Sequence, residues 1–293
     1  MDLKYFGFVL KDIRRKLKYT QEYVSKHAYM STKHLSRIEN GKIYPSLEDL
    51  MHLSNLYKKN LIELFAIYYN YYDKNVIDLI DNIEHELIDF NYYNINTLID
   101  KIEIHIENNR FIKQYYYFIK GVLFLEYYKQ KDMAFSLFIK ALFVFNNNFN
   151  INKYYLYNYS SLELRILTAL ALYFNKIDDY ATYTNLLSFS FKNCEDNSFS
   201  YFIILIHYIN LLKKENKIKE SLRLVNKYLH SSFVKKNLFL LPTIYYMKFR
   251  IYERDNNLNK AKENLKKASL LCQIYRKNNL ENLINEKLSL YHI

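Results

Sequence analysis

Residues that break helices are nearly missing from this sequence. Its 293 residues include 3 Gly and 2 Pro. Glycine and proline stop helices and let strands reverse in tight turns. Without them a β-rich fold lacks its turn residues, and an all-α chain follows. The same scarcity excludes whole classes of function. Gly7, Gly41 and Gly121 stand far apart, so the chain has neither a GxGxxG fingerprint nor a P-loop. At this length the chain buries a substantial core, as one large domain or two modest ones.

Charge adds a second constraint. Lys and Arg number 42 against 30 Asp and Glu, a formal +12 that suits nucleic acid or an anionic surface. Lys, Asn, Ile, Tyr and Phe share A- and T-rich codons, so the position of the charge says more than its sum. Residues 1–66 carry twelve Lys/Arg and seven Asp/Glu, an excess of five in under a quarter of the chain. Cys194 and Cys272 lie 78 positions apart with no CxxC partner, as reduced thiols in a cytoplasmic protein would. The apolar run before Lys11 is too short for a signal peptide. The stretch from Tyr201 to Leu212 is broken by His207 and Asn210, and falls short of the roughly 18 residues of a spanning helix. No membrane association is expected.

From Val76 onward, long amphipathic stretches alternate with Asn-, Asp- and Lys-rich turns. They share a phrase of small residues seven apart with a large one between. It reads Ala134-Phe138-Ala141 and Ala261-Leu265-Ala268, with looser versions at Ala181-Asn185-Ser188, Ser221-Val225-Tyr228 and Thr97-Lys101-Ile104. Small side chains let one helix approach its neighbour, and the large one fills the gap. The starts are spaced 37, 47, 40 and 40 residues apart, around the tetratricopeptide period of about 34 with longer loops. A right-handed solenoid of tetratricopeptide-like helical hairpins is expected over 76–293. The tyrosine-rich segment 67–75 is expected to link it to residues 1–66.

The densest motif runs from residue 6 to 57. Tyr19-Thr20-Gln21-Glu22 opens a short helix, and Ser31-Thr32-Lys33-His34-Leu35-Ser36-Arg37-Ile38-Glu39-Asn40-Gly41 makes the next. Thr20, Ser31 and Ser46 suit N-caps, and Ser46 with Asp49 suits a capping box. Gly41 stands where a helix ends in a left-handed residue. Val24, Met30, Leu35 and Ile38 are spaced to pin one helix across the next, with Leu10, Ile13, Leu50 and Leu53 flanking.

These residues resemble the XRE-type helix-turn-helix of phage repressors and bacterial regulators over roughly 60 positions. The resemblance implies that the helix from Thr32 enters the major groove. Thr32, Lys33, Ser36 and Arg37 are then the expected base readers, and Arg14, Arg15, Gln21, Asn40 and Lys42 the expected phosphate contacts. One departure stands out. The turn position usually held by Gly or Asn is Tyr29, where a positive φ costs roughly 1–3 kcal/mol.

The pairing of such a domain with helical repeats resembles the Rgg/PlcR/PrgX regulators. In that family the repeat domain dimerises and binds a short signalling peptide, which changes binding to an inverted-repeat operator. The first helix of each stacked hairpin lines the concave side. With Gly121, Ile209 and Phe249 as equivalent packing positions, Asn210, Tyr246, Arg250 and Glu253 face that side, with Arg165 and Tyr173 from a looser repeat. These six are the expected peptide contacts. A repeat domain that binds another protein, or an effector-independent repressor, would give the same architecture.

An enzyme is not expected. His85 between Glu84 and Glu86 lacks the HExxH spacing, and Glu103, His105 and Glu107 do not share a helix face. Neither a metal nor a cofactor is expected.

Overall fold

The computed structural model describes residues 3–70, 74–107, 109–195, 198–231 and 238–291, and among them there is helix but no strand. The chain divides into two compact units, Met1–Ile80 and Asp81–Ile293. Most of the expected linker, 67–75, lies outside the residues whose side chains are described.

The first unit contains α1 (Leu3–Lys16), α2 (Gln21–His27), α3 (Thr32–Glu39), α4 (Leu47–Tyr57) and α5 (Leu61–Asn70). Each expected cap forms. Thr20 Oγ1 accepts from the Tyr23 amide at 3.0 Å, Ser31 Oγ from His34 at 3.0 Å, and Ser46 and Asp49 exchange bonds in a capping box. Gly41 has φ 62°, with its amide on Ile38 O and that of Lys42 on Arg37 O, the paired bonds of a Schellman stop. Leu10, Val24, Leu35, Ile38 and Leu53 are fully buried, Ile13 and Leu50 nearly so. Met30 is only half-buried. Tyr29 does take φ 53°, with its side chain 84% exposed. Gly7 has a role that its place in the sequence does not reveal. A Cβ there would lie 2.5 Å from Ile38 O, so α1 crosses the end of α3 backbone to backbone.

Helix α6 (Lys74–Ile88) spans the division, and α7 (Tyr92–Glu103) follows it. Four hairpins come next. They are α8 (Arg110–Glu126) with α9 (Lys131–Phe143), and α10 (Ser161–Lys176) with α11 (Tyr180–Asn193). Then come α12 (Phe199–Lys214) with α13 (Ile218–Leu229), and α14 (Leu241–Arg254) with α15 (Leu258–Tyr275). Helix α16 (Asn278–Leu290) packs on α15. The hairpins turn without glycine. Lys129, Asp178, Asn216 and Asn256 each take a positive φ, between 56° and 64°, in the turn between the paired helices. Asn and Asp tolerate this region better than other side chains.

The packing phrase is right in three repeats. Ala134, Phe138 and Ala141 are fully buried, as are Ala261, Leu265 and Ala268, and Ser221, Val225 and Tyr228 are buried. A Cβ on Gly121 would lie 2.6 Å from the Phe138 ring, so the α8–α9 approach needs that glycine. In two repeats the register is corrected. Ala181 and Asn185 are exposed, and the buried stripe of α11 is Tyr183, Leu186, Leu187 and Ser190. Thr97, Lys101 and Ile104 are likewise exposed, while Ile95, Ile99 and Ile102 are buried. There the large apolar residues take the inner face, because they remove more apolar area from water than the small ones.

Candidate DNA-reading helix and ligand cavity

Helix α3 is anchored on one side and open on the other. Leu35, Ile38 and Glu39 are buried, whereas Thr32, Lys33 and Arg37 are exposed. Ser36 is half-buried, and its carbonyl and hydroxyl accept from Asn40 Nδ2 at 2.8 and 3.3 Å. His34 Nε2 meets Asp49 Oδ2 at 2.9 Å, tying α3 to the cap of α4. Burial works against the Asp49 charge, but the bonds from His34 and Ser46 outweigh it and hold its pKa below the usual range.

Arg14 corrects the expected phosphate set. It is 7% exposed and donates from Nε to Glu39 Oε1 at 2.6 Å, from Nη2 to Glu39 Oε2 at 2.9 Å, and from Nη1 to Tyr19 O at 2.9 Å. That bidentate bond, aided by the Glu39 charge, raises the Arg14 pKa against the effect of burial. Three of its five N–H donors are spent inside the domain, and burial keeps the group away from a phosphate. Gln21 Nε2 donates to Glu39 Oε2 at 2.8 Å, which uses one of its two amide hydrogens. Arg15, Asn40 and Lys42 are exposed. The buried Glu39 escaped the sequence reading, because a glutamate in Ile-Glu-Asn-Gly gives no sign of facing inward.

In the second unit a cavity of about 1030 Å³ opens along the first helices of successive hairpins. Four of the six expected ligand contacts, Asn210, Tyr246, Arg250 and Glu253, line it together. Leu172 and Asn175 of α10 line it as well. Arg165 does not line it. It is 6% exposed and donates to both Glu84 oxygens at 2.9 and 2.7 Å, with its guanidinium over the rings of Phe118 and Phe199. Tyr173 is also absent from the lining and packs instead on Phe135, ring centroids 5.0 Å apart. Both corrections come from α10, where neighbouring aromatic and acidic side chains claim these groups.

Sequence reasoning missed Lys213, His207 and Thr243 in the same wall. Each lies three residues from a residue that was found, so following the stripe one helical turn further would have reached them. Burial pushes the His207 pKa down to about 4 and keeps the ring neutral. Burial first, then the neighbouring Arg250 charge, pushes Lys213 down to about 8 against the opposing pull of Glu253.

Residues 10–64 match the helix-turn-helix family HTH_3. The first unit is therefore a helix-turn-helix DNA-binding domain. No curated protein matches the chain. Solved structures resemble it along nearly all of its length. One is Bacillus thuringiensis PlcR in complex with the peptide PapR7 and DNA, at 19% identity and TM-score 0.55, covering 96% of this chain and 99% of that one. Another is apo ComR of S. thermophilus, at 17% identity and TM-score 0.56, covering 98% and 99%. A third, the apo competence regulator ComR of Streptococcus vestibularis, is 15% identical with TM-score 0.51, and 99% of each chain is covered. The chain thus has the fold of these regulators, a helix-turn-helix unit followed by helical repeats. Among the described residues, no helix is long and apolar enough to cross a membrane, and no three His, Cys, Asp or Glu gather as metal ligands would.

Proposed function

We propose that this chain is a cytoplasmic, non-enzymatic transcriptional regulator of the quorum-sensing kind. It acts as a homodimer, reads an inverted-repeat operator through α3, and binds a short signalling peptide in the cavity of its repeats. The domain limits proposed are 1–66 for DNA binding, 67–75 for the linker and 76–293 for sensing and dimerisation.

The observation that carries this reading is the wall of the cavity. Asn210, Tyr246, Arg250 and Glu253 gather there on the inner helices of a fold shared with PlcR, whose structure holds a peptide and DNA. An Asn amide pairs with a peptide bond in both directions, since it donates and accepts. Tyr246 adds a ring for an apolar side chain, and Arg250 a fixed cation. On the DNA side, Lys33 and Arg37 project from α3 as guanine donors and Thr32 and Ser36 as hydroxyl contacts, while Arg15, Gln21, Asn40 and Lys42 hold phosphates. The dimer spans two half-sites about 34–36 Å apart, or a multiple of that. Peptide binding shifts the population of operator-competent dimers.

Selection of random duplex DNA by the full chain tests this. An inverted repeat is expected, with Lys33→Ala and Arg37→Ala relaxing the preference at one position in each half-site. If the variants select the same sequence as the wild type, α3 is not the reader.

A further inference from the structure

The cavity of the repeat unit is short of negative charge. Lys213, Lys214, Arg250 and Arg254 line it, against one carboxylate, Glu253. That carboxylate is already engaged, with Arg250 Nε at 3.1 Å and the Tyr291 hydroxyl donating at 2.9 Å. Lys214 donates to Asn175 Oδ1 at 2.8 Å. Lys213 differs. Among the described residues nothing takes its ammonium in a hydrogen bond or ion pair, although burial disfavours its charge.

A second orphan sits in the same wall. Thr243 is 3% exposed, and its Oγ1 has no partner among the described residues. A buried helical threonine ordinarily bonds the carbonyl one turn back, as Thr168 does to Leu164 O at 2.9 Å. His207, also in the lining, is neutral and supplies no counter-charge. An unpaired ammonium, a buried hydroxyl without a partner and a guanidinium around one cavity match a group that only accepts hydrogen bonds and carries negative charge.

We propose that Lys213, Arg250 and the Thr243 hydroxyl form a carboxylate-receiving subsite, so that the ligand of this cavity is acidic. This deepens the peptide reading and rests on it. The carboxylate is either the free C-terminus of the peptide or an Asp or Glu side chain within it. Binding would return Lys213 to an ordinary ammonium pKa, so ligand capture takes up protons near pH 8.

The test uses the full chain and a pool of short random peptides made in four forms. Each is acid-terminated or amidated, and each is made with or without Asp and Glu. Affinity selection with mass spectrometry should retain carboxylate-bearing peptides at least tenfold over amidated, acid-free ones. The preferred form tells the C-terminal source from the side-chain source. Lys213→Met should abolish the ratio, Thr243→Val should reduce it, and Lys213→Arg should restore it. Equal retention of neutral peptides overturns the subsite, as does an unchanged ratio in Lys213→Met. If no peptide of any form is retained, the peptide reading fails by itself. The subsite is then judged with glutarate as probe. A rise in Tm for the wild type but not for Lys213→Met or Thr243→Val supports it, and the same response in all three, or none, overturns it.

Discussion

Two cation sites, one in each unit, are built in opposite ways. In the DNA-binding unit, Arg14 is buried with a bidentate carboxylate from Glu39, and Gln21 completes the cluster. In the repeat unit, Lys213 lines a cavity with no partner among the described residues. The first arrangement ties α1 to the end of α3, the proposed reading helix, and serves rigidity. The second leaves charge unanswered at some expense of stability, as a receptor for an anion must. The repeat unit also contains the first kind, in Arg165 and Glu84, so the contrast follows the task of each site rather than the unit.

Breaking the paired site should have the largest effect. Glu39→Ala strands the buried Arg14 guanidinium, and a loss of about 3–5 kcal/mol is expected in denaturant unfolding of the first unit. A loss under about 1 kcal/mol would mean that Arg14 finds water or another acceptor, and that α3 is held by its apolar side alone.

The unpaired site should respond with the opposite sign. Lys213→Met is expected to stabilise the chain at pH 7 by on the order of 1–3 kcal/mol, discounted for its partial exposure. The sign follows from linkage. Lys213 loses its proton near pH 8 when folded, and at the ordinary lysine value of 10.5 when unfolded. Between those values the unfolded chain binds the extra proton, so wild-type stability rises with pH and the advantage of the variant fades. Thermal unfolding of both proteins from pH 7 to 10 measures it.

The turns sharpen the comparison at a smaller scale. Three hairpin turns of the repeat unit place Asn or Asp at the left-handed position, whereas the turn between α2 and α3 has Tyr29 at φ 53°. Tyr29→Gly should gain up to about 1 kcal/mol in stability, because relief of the strained φ outweighs the added freedom of the unfolded chain. The smallest effect is expected at the surface. Lys42→Ala should weaken DNA binding evenly across sequences and lower the salt slope of its affinity by about one, as measured in a salt titration.

These contrasts also explain what the sequence made legible. Thr20, Ser31, Ser46 and Gly41 act on backbone groups within a few residues, so their roles can be read from local order alone. Asn210, Tyr246, Arg250 and Glu253 could be found because one helical period links them to packing positions. Arg14 and Arg165 were misplaced because their partners lie 25 and 81 residues away, which no local pattern encodes. In α7 and α11 a faint small-residue phrase competed with Ile95-Ile99-Ile102 and Tyr183-Leu186-Leu187-Ser190, and the stripe with more buried area set the register. Gly7 shows the same limit, since its requirement comes from the Ile38 carbonyl.

The most direct test of the account is fluorescence anisotropy on the selected operator duplex, with and without the carboxylate-bearing peptides that the chain retains. Peptide should shift the operator Kd of the wild type at least tenfold and leave that of Lys213→Met unshifted. Equal shifts in the two proteins, or no shift in the wild type, would contradict it.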